Sequence, residues 1–160
     1  MTRVGIGYDV HQLEKGELLY IGGIHISSDV GSVGHSDGDA LSHAITDALL
    51  GAAGLGDIGT LFPSEDDTWK NVSSTVFLKD VVRRIKESGF LINNIDATII
   101  LQEPKIGYYI DKIKSSLATT MDLDHSSISI KATTTDRMGA IGEGLGWGAM
   151  AVASIIKEPL

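Results

Sequence analysis

Asp9, His11 and His43 are the residues of this chain best suited by type to hold a metal ion. Asp9 and His11 stand two apart in the run GYDVH, directly after an apolar stretch. At that spacing in extended chain both side chains project to the same side. His43 falls in a helical pattern further on, which a strand-then-helix layout can bring over the end of the strand. Two imidazoles and a carboxylate make a three-ligand zinc site whose fourth position is left for water or substrate, the arrangement of a catalytic ion. The chain has no cysteine, so disulfides and thiolate ligands are excluded and any metal must be held by His, Asp or Glu. Asp39, His43 and Asp47 recur at i, i+4 and i+8, which places either aspartate to accept the second N–H of a metal-bound His43. Against this reading, D-x-H arises often by chance, and single histidines on helices are commonly structural or solvated. His25 and His125 have no supporting neighbours and read as ordinary residues.

Other runs suit an anion. In HSDGD, residues 35–39, Ser36 or Asp37 can cap the following helix. Equally, the free N–H groups there, with His35 beside them, can bind a negative group. The run KATTTD, Lys131 to Asp136, leaves a strand and enters a glycine-rich loop from Gly139 to Gly148. Its three successive hydroxyls and exposed N–H groups suit a phosphate, against which Asp136 can hold Mg²⁺ or Mn²⁺. Threonines are also good strand residues, so the run proves little alone. Gln102, Glu103, Pro104 and Lys105 follow another strand as a proline-fixed turn with one cation.

These residues must be positioned by a modest number of elements. Thr2 to Tyr8 reads as a strand, and Leu18 to Ile26, interrupted by Gly22 and Gly23, as a bent strand or a hairpin. Ser36 to about Gly54 is helical, with Ala40, Leu41, Ala44, Ile45, Ala48 and Leu49 at three- and four-residue spacing. Ser73 to Ser88 is a second amphipathic helix, with Gly89 as its stop. Ile95 to Leu101 reads as a strand, Ile106 to Met121 mostly as a helix and Ile128 to Thr134 as a strand. Ala149 to Ile156 leans towards strand. The sum is an α+β fold, a single domain over residues 1–160, with a mixed four-stranded sheet and helices packed on one face.

A formal net charge of -8 gives no diffuse positive field for nucleic acid. A phosphorylated ligand would have to be attracted locally, by metal ions, backbone N–H groups and a few placed cations. No apolar run approaches the roughly 20 residues that span a bilayer. The N-terminal MTRVGIGYDVH lacks the features of a secretory signal. A cytoplasmic protein with a small-molecule ligand, no nucleic acid and no membrane is the expectation.

GYDVH, HSDGDALSHAITDALLGAAGLGDIGTLFP, the EPK turn and KATTTD stand in an order and spacing that resembles one family across essentially the whole chain, the 2-C-methyl-D-erythritol 2,4-cyclodiphosphate synthases. The resemblance implies an enzyme, formally a phosphorus–oxygen lyase. Its substrate would be 4-diphosphocytidyl-2-C-methyl-D-erythritol 2-phosphate and its products 2-C-methyl-D-erythritol 2,4-cyclodiphosphate and CMP. It also implies a homotrimer with active sites at subunit interfaces, one subunit bringing zinc and the erythritol pocket and its neighbour much of the cytidine pocket. Carried onto this chain, Asp9, His11 and His43 would hold zinc, and His35 and Thr134 would stabilise the transition state. Asp9, His11, His35, Ser36, Asp57, Ile58 and Gly59 would contact the methylerythritol phosphate, together with Phe62, Pro63, Ser64, Glu65 and Asp66. Leu101, Pro104, Lys105 and Gly107 match the cytosine and ribose loop. Thr133, Thr134, Thr135 and Asp136 match the diphosphate loop, with Asp136 at a second divalent ion.

The chain departs from the family pattern in that glycine-rich region. Asp136 stands where glutamate is usual, Ala140 replaces an aromatic of some members, and Glu143 falls where many carry a phosphate-touching arginine. A shifted loop, substitution by Arg137 or Lys131, or a Glu143 turned to solvent would each accommodate this. Rival readings are a zinc-dependent phosphohydrolase, which would release inorganic phosphate, and a non-enzymatic nucleotide or isoprenoid-diphosphate binder. A domain of a bifunctional enzyme is disfavoured, since 160 residues leave no room for a partner.

Overall fold

In the computed structural model, which describes residues 1–70 and 72–158, the N-terminal apolar stretch runs on as strand through the polar residues that follow it. Strand β1 spans Thr2–Lys15, so Asp9 and His11 lie within it and do not follow it, as the apolar pattern suggested. The ladder explains this, because Asp9 pairs with Ala149 and His11 with Trp147 on strand β7, Gly146–Lys157. Backbone pairing continues wherever a neighbouring strand supplies partners, whatever the side chains carry.

Leu18 to Ile26 forms a hairpin, β2 at Leu19–Ile21 and β3 at Ile24–Ile26, turning at Gly22 and Gly23, both with positive φ. Strand β4, Val30–Val33, pairs antiparallel with the end of β1. It makes the main sheet five-stranded, where four strands were expected, because a four-residue segment of mixed polarity gives no periodic signal. Strands β5, Phe90–Ile100, and β6, Ile128–Thr133, complete it in the order β4-β1-β7-β5-β6. Only β5 and β6 run parallel, so the sheet is mixed.

Helix α1, Ala40–Ala53, begins later than Ser36, and Asp39 caps it in place of Ser36 or Asp37, accepting from Ser42 N–H at 3.0 Å. Short helix α2 covers Ile58–Leu61, and α3 covers Ser74–Glu87 with Ser73 as its cap. A 3₁₀ turn at Gly107–Tyr109 leads into α4, Ile110–Met121, shortening the helix expected from Ile106. Part of the expected glycine-rich loop is a single turn, α5, Gly139–Gly142.

The helices cover one face of the sheet, and α1 lies directly on its centre. Alternation along β1 turns Gly5, Gly7, Asp9 and His11 towards α1. A Cβ on Gly5 would stand 2.0 Å from Ala48 O, and one on Gly7 only 1.9 Å from Ala44 O. Ala149, Ala151 and Ala153 of β7 are buried beneath the same helix, whose Ala44, Ala48 and Ala52 come closest to Gly5 and Gly7. Small residues on both surfaces let the helix backbone touch the sheet backbone. The opposite face leaves Val4, Ile6, Tyr8 and Val10 of β1 exposed beside Met150 and Val152 of β7.

Gly7→Ala should therefore push α1 off the sheet and cost about 1–3 kcal/mol or more. A urea midpoint that falls at unchanged slope is the expected reading. A variant as stable as the parent would mean that the helix can yield without loss.

Candidate functional site

The contact of α1 with β1 carries His43 to the inward-facing pair on the strand. Asp9 Oδ2 lies 2.9 Å from His11 Nε2 and 2.9 Å from His43 Nδ1, and the two nitrogens are 3.2 Å apart. Tetrahedral zinc with bonds of about 2.0–2.1 Å holds its donors about 3.3 Å apart. The three atoms stand 2.9–3.2 Å apart, somewhat inside that spacing, and the donor set of two imidazoles and a carboxylate fits the ion. All three side chains are partly buried, which limits competition from water.

Each histidine is held from behind. His11 Nδ1 lies 2.9 Å from Val33 O, the last residue of β4. A carbonyl can only accept, so Nδ1 carries the hydrogen and Nε2 is free to ligate. His43 Nε2 meets Ser74 Oγ at 2.7 Å, at the start of α3. Neither aspartate on α1 serves as the expected partner of His43. Asp39 is fully buried and accepts from Gly22 N–H at 3.0 Å, Gly23 N–H at 2.7 Å and Ser42 Oγ at 2.8 Å as well as its cap bond. Burial pushes its carboxyl up, with the Asp37 charge adding to the effect. Asp47 accepts from Ile58 N–H at 2.8 Å and so anchors α2. Equal spacing on a helix face did not settle these roles, because the ring of His43 turns towards β1 and α3.

Electrostatics tie the cluster together. Burial acts to raise the Asp9 carboxyl, but hydrogen bonds and charge from His11 and His43 outweigh it and lower it to about 2. Burial acts to lower His11, and the hydrogen bond and charge of Asp9 reverse this, leaving it raised.

The cluster forms the floor of a cleft of about 260 Å³. His35, Ser36, Ile58, Gly59, Phe62 and Ser64 line it. Asp57 and Asp66 are engaged as caps, accepting from Thr60 N–H at 2.7 Å and Thr68 N–H at 2.9 Å. Pro63 and Glu65 belong to the same segment but do not line the cleft. Trp69 and Phe77 do line it, and sequence patterns missed both as site residues. They form an aromatic triangle with Phe62, whose ring stacks on Phe77 at 4.7 Å and meets Trp69 edge-on at 5.0 Å. Phe77 sits in the apolar stripe of α3, so nothing in its spacing separates wall from core.

The second group of candidates lies at the far side of the same sheet end. Buried Leu101 donates its N–H to Thr133 O at 3.0 Å, joining the loops after β5 and β6. Gln102 Oε1 accepts from Arg137 N–H at 3.0 Å. Pro104 follows a cis peptide, exposed Lys105 pairs with Glu103 at 3.7 Å, and Gly107 opens the 3₁₀ turn. Thr134 accepts from Asp136 N–H at 3.3 Å, and Thr135 Oγ1 donates to Met138 O at 2.8 Å. Asp136 and Arg137 are both left-handed, at φ 51 and 64. Asp9, Ala149, Ile99 and Ala132 are register partners across four strands. Three strand spacings therefore put the Thr133–Asp136 loop roughly 14 Å from the metal cluster within one chain. His35 and Thr134 are not brought together. Glu143 is exposed at the end of α5, and Lys131 is paired with Asp96.

A family model described as the YgbB family matches residues 2–156. A 2-C-methyl-D-erythritol 2,4-cyclodiphosphate synthase of Alkaliphilus oremlandii is 50% identical over 97% of this chain and 99% of its own. The synthase of the same name from Clostridium acetobutylicum is 51% identical over 96% and 99%. Among solved structures, IspF of Plasmodium falciparum in complex with CDP superposes with a TM-score of 0.87 at 35% identity, over 99% of this chain and 97% of that one.

In the metal-free protein the Asp9 shift contributes stability that is full above pH 3.8 and lost as pH falls through about 2, some ~2 kcal/mol in all. The raised His11 contributes in full below pH 6.5 and loses its contribution as pH rises through its own folded value. Unfolding free energies across a pH series should thus decline on both sides of the window from 3.8 to 6.5. Asp9→Asn should flatten both declines, and an unchanged profile would show the groups to be uncoupled.

Proposed function

The chain belongs to the YgbB family, that of the 2-C-methyl-D-erythritol 2,4-cyclodiphosphate synthases, and from that premise we propose the reaction, metals and assembly of this protein. It converts 4-diphosphocytidyl-2-C-methyl-D-erythritol 2-phosphate into 2-C-methyl-D-erythritol 2,4-cyclodiphosphate and CMP. A 2-phosphate oxygen bonds to the β-phosphorus, the bond from that phosphorus to the CMP oxygen breaks, and CMP leaves with the electron pair. The observation that carries this reading is the convergence of Asp9, His11 and His43 donors on the floor of a cleft.

Two phosphates that must react repel each other before any bond breaks. A divalent ion, zinc by donor type, would be held by Asp9, His11 and His43, and when bound it supplies charge neutralisation and a fixed phosphate oxygen. His35 and Ser36 reach the same phosphate region, while Ile58, Gly59, Phe62 and Ser64 shape the pocket for the methylerythritol. Leu101, Pro104, Lys105 and Gly107 would receive the cytidine through backbone groups. Thr133, Thr134 and Thr135 would hold the diphosphate, with Asp136 suited to Mg²⁺ or Mn²⁺ beside it. Asp57, Pro63, Glu65 and Asp66 form the outer margin of the substrate site. Positioning and electrostatics dominate such a transfer. A cytoplasmic reaction is the reading we favour, since a charged substrate does not cross a bilayer unaided and is used where it is made.

The separation of the cleft from the Thr133–Asp136 loop favours completion of each site by a neighbouring copy. The exposed strip of Val4, Ile6, Tyr8, Val10, Met150 and Val152 favours the same conclusion, since contiguous apolar surface of this kind marks an interface. A homotrimer packed through this sheet face joins the two halves, so that Thr134 of one copy serves the His35 side of another.

Phosphorus NMR of the purified protein with substrate, Zn²⁺ and Mg²⁺ should show the cyclic diphosphate and CMP. His43→Ala should lower the rate roughly a thousandfold, the loss of several kcal/mol of charge stabilisation. Inorganic phosphate in place of CMP would establish a hydrolase, and binding without turnover a non-catalytic homologue. Light scattering should give a trimer mass, and Ile6→Lys should give monomers that have lost most activity. An active monomer would overturn the shared-site assembly.

A further inference from the structure

His43 offers one ring nitrogen to the metal cluster, and what the other nitrogen meets decides where the proton sits. Its Nε2 is 2.7 Å from Ser74 Oγ, and Ser74 is fully buried. Ser74 Oγ makes a short hydrogen bond to Asp37 Oδ1. Asp37 is fixed in turn, its Oδ2 accepting from the Ser74 backbone N–H at 2.8 Å and its Oδ1 from Asp39 N–H at 3.3 Å. A hydroxyl has one proton and a carboxylate only accepts, so the Ser74 proton goes to Asp37. Ser74 can then meet His43 only as an acceptor, which requires Nε2–H. With Nε2–H so engaged, Nδ1, 2.9 Å from Asp9 Oδ2, is the nitrogen left to ligate once an ion displaces any hydrogen it shares with Asp9. Ser36 Oγ, at 3.2 Å from the same nitrogen, is the longer contact and, among the described residues, has no carboxylate holding its proton.

We propose that Asp37 and Ser74 are positioning residues that set His43 in its metal-ligating tautomer and orientation, a role that rests on the metal reading of the cleft. Asp37 sits at the first turn of α3, where the N-terminal end of a fourteen-residue helix favours negative charge. The relay so runs from a helix start through a carboxylate and a hydroxyl to the imidazole. Asp37→Asn is the sharpest perturbation. Its amide can donate to Ser74, which frees the Ser74 proton for His43 Nε2 and drives hydrogen onto Nδ1, against ligation.

The test is Zn²⁺ affinity by competition with a chromophoric chelator, for the parent, Asp37→Asn, Ser74→Ala and Ser74→Thr. Asp37→Asn and Ser74→Ala should bind zinc about 10- to 100-fold more weakly, with Ser74→Thr close to the parent. In zinc-loaded parent protein labelled with ¹⁵N-histidine, the His43 Nε2 proton should be visible and slow to exchange, a reading that needs no variant to fold. Unchanged affinities with a zinc-binding parent, or a rapidly exchanging Nε2 proton, would overturn the relay alone. A parent that binds no zinc would overturn the relay together with the metal reading beneath it.

Discussion

Everything at the cleft depends on how closely α1 can lie against β1. Gly5 and Gly7 have no side chains to hold the helix away, and the carbonyls of Ala44 and Ala48 occupy the space where a Cβ would be. A helix normally rides on a layer of side chains above a sheet. Here its backbone is at van der Waals distance, so an imidazole on the helix reaches side chains rooted on the strand. The same alternation that turns Gly5 and Gly7 inward turns Asp9 and His11 inward two and four residues later. Packing and the candidate ligand set are one design carried by a single strand face. Its cost falls on the other face, where the alternate residues are apolar and uncovered.

Much of this was legible in the order of residues. The apolar run from Thr2 to Tyr8 states the first strand, though not its extension through Asp9 and His11, and the three- and four-residue spacing in α1 states the helix. The roles of Asp39 and Asp47 were not legible. Both stand on the correct helix face, yet their partners, the turn at Gly22 and Gly23 and the start of α2, are set by loops that carry no periodicity. Strand β4 escaped for a related reason, since it is defined by pairing with β1 and not by its own composition. Trp69, Phe77 and Ser74 illustrate a further limit. An aromatic in an apolar stripe, or a second serine at a helix start, has the same local signature whether it faces a core or a cleft.

The acidic composition and the anionic ligand are reconciled by location. On the far side of the sheet end, Lys131 is paired with Asp96 and Lys105 with Glu103. Glu143, the residue most at odds with phosphate binding, is exposed and capped into α5. Attraction would then fall to an ion held at the Asp9, His11 and His43 cluster, to helix and loop N–H groups, and to geometry. Such attraction acts over short distances, and an enzyme of this kind selects its ligand by fit after encounter more than by steering before it.

Asp39 gives the fold a property beyond the site. A fully buried carboxylate satisfied by Gly22, Gly23 and Ser42 cannot lose one of these partners without leaving charge unpaired in the interior. The hairpin of β2 and β3 is small and would ordinarily open and close by itself. Bound to the first turn of α1 through this side chain, and packed into the core by Leu19, Ile21 and Ile26, it belongs to the same cooperative unit as the helix that carries His43. Opening the hairpin would strip a buried carboxylate of two donors, so the turn and the helix start stand or fall together.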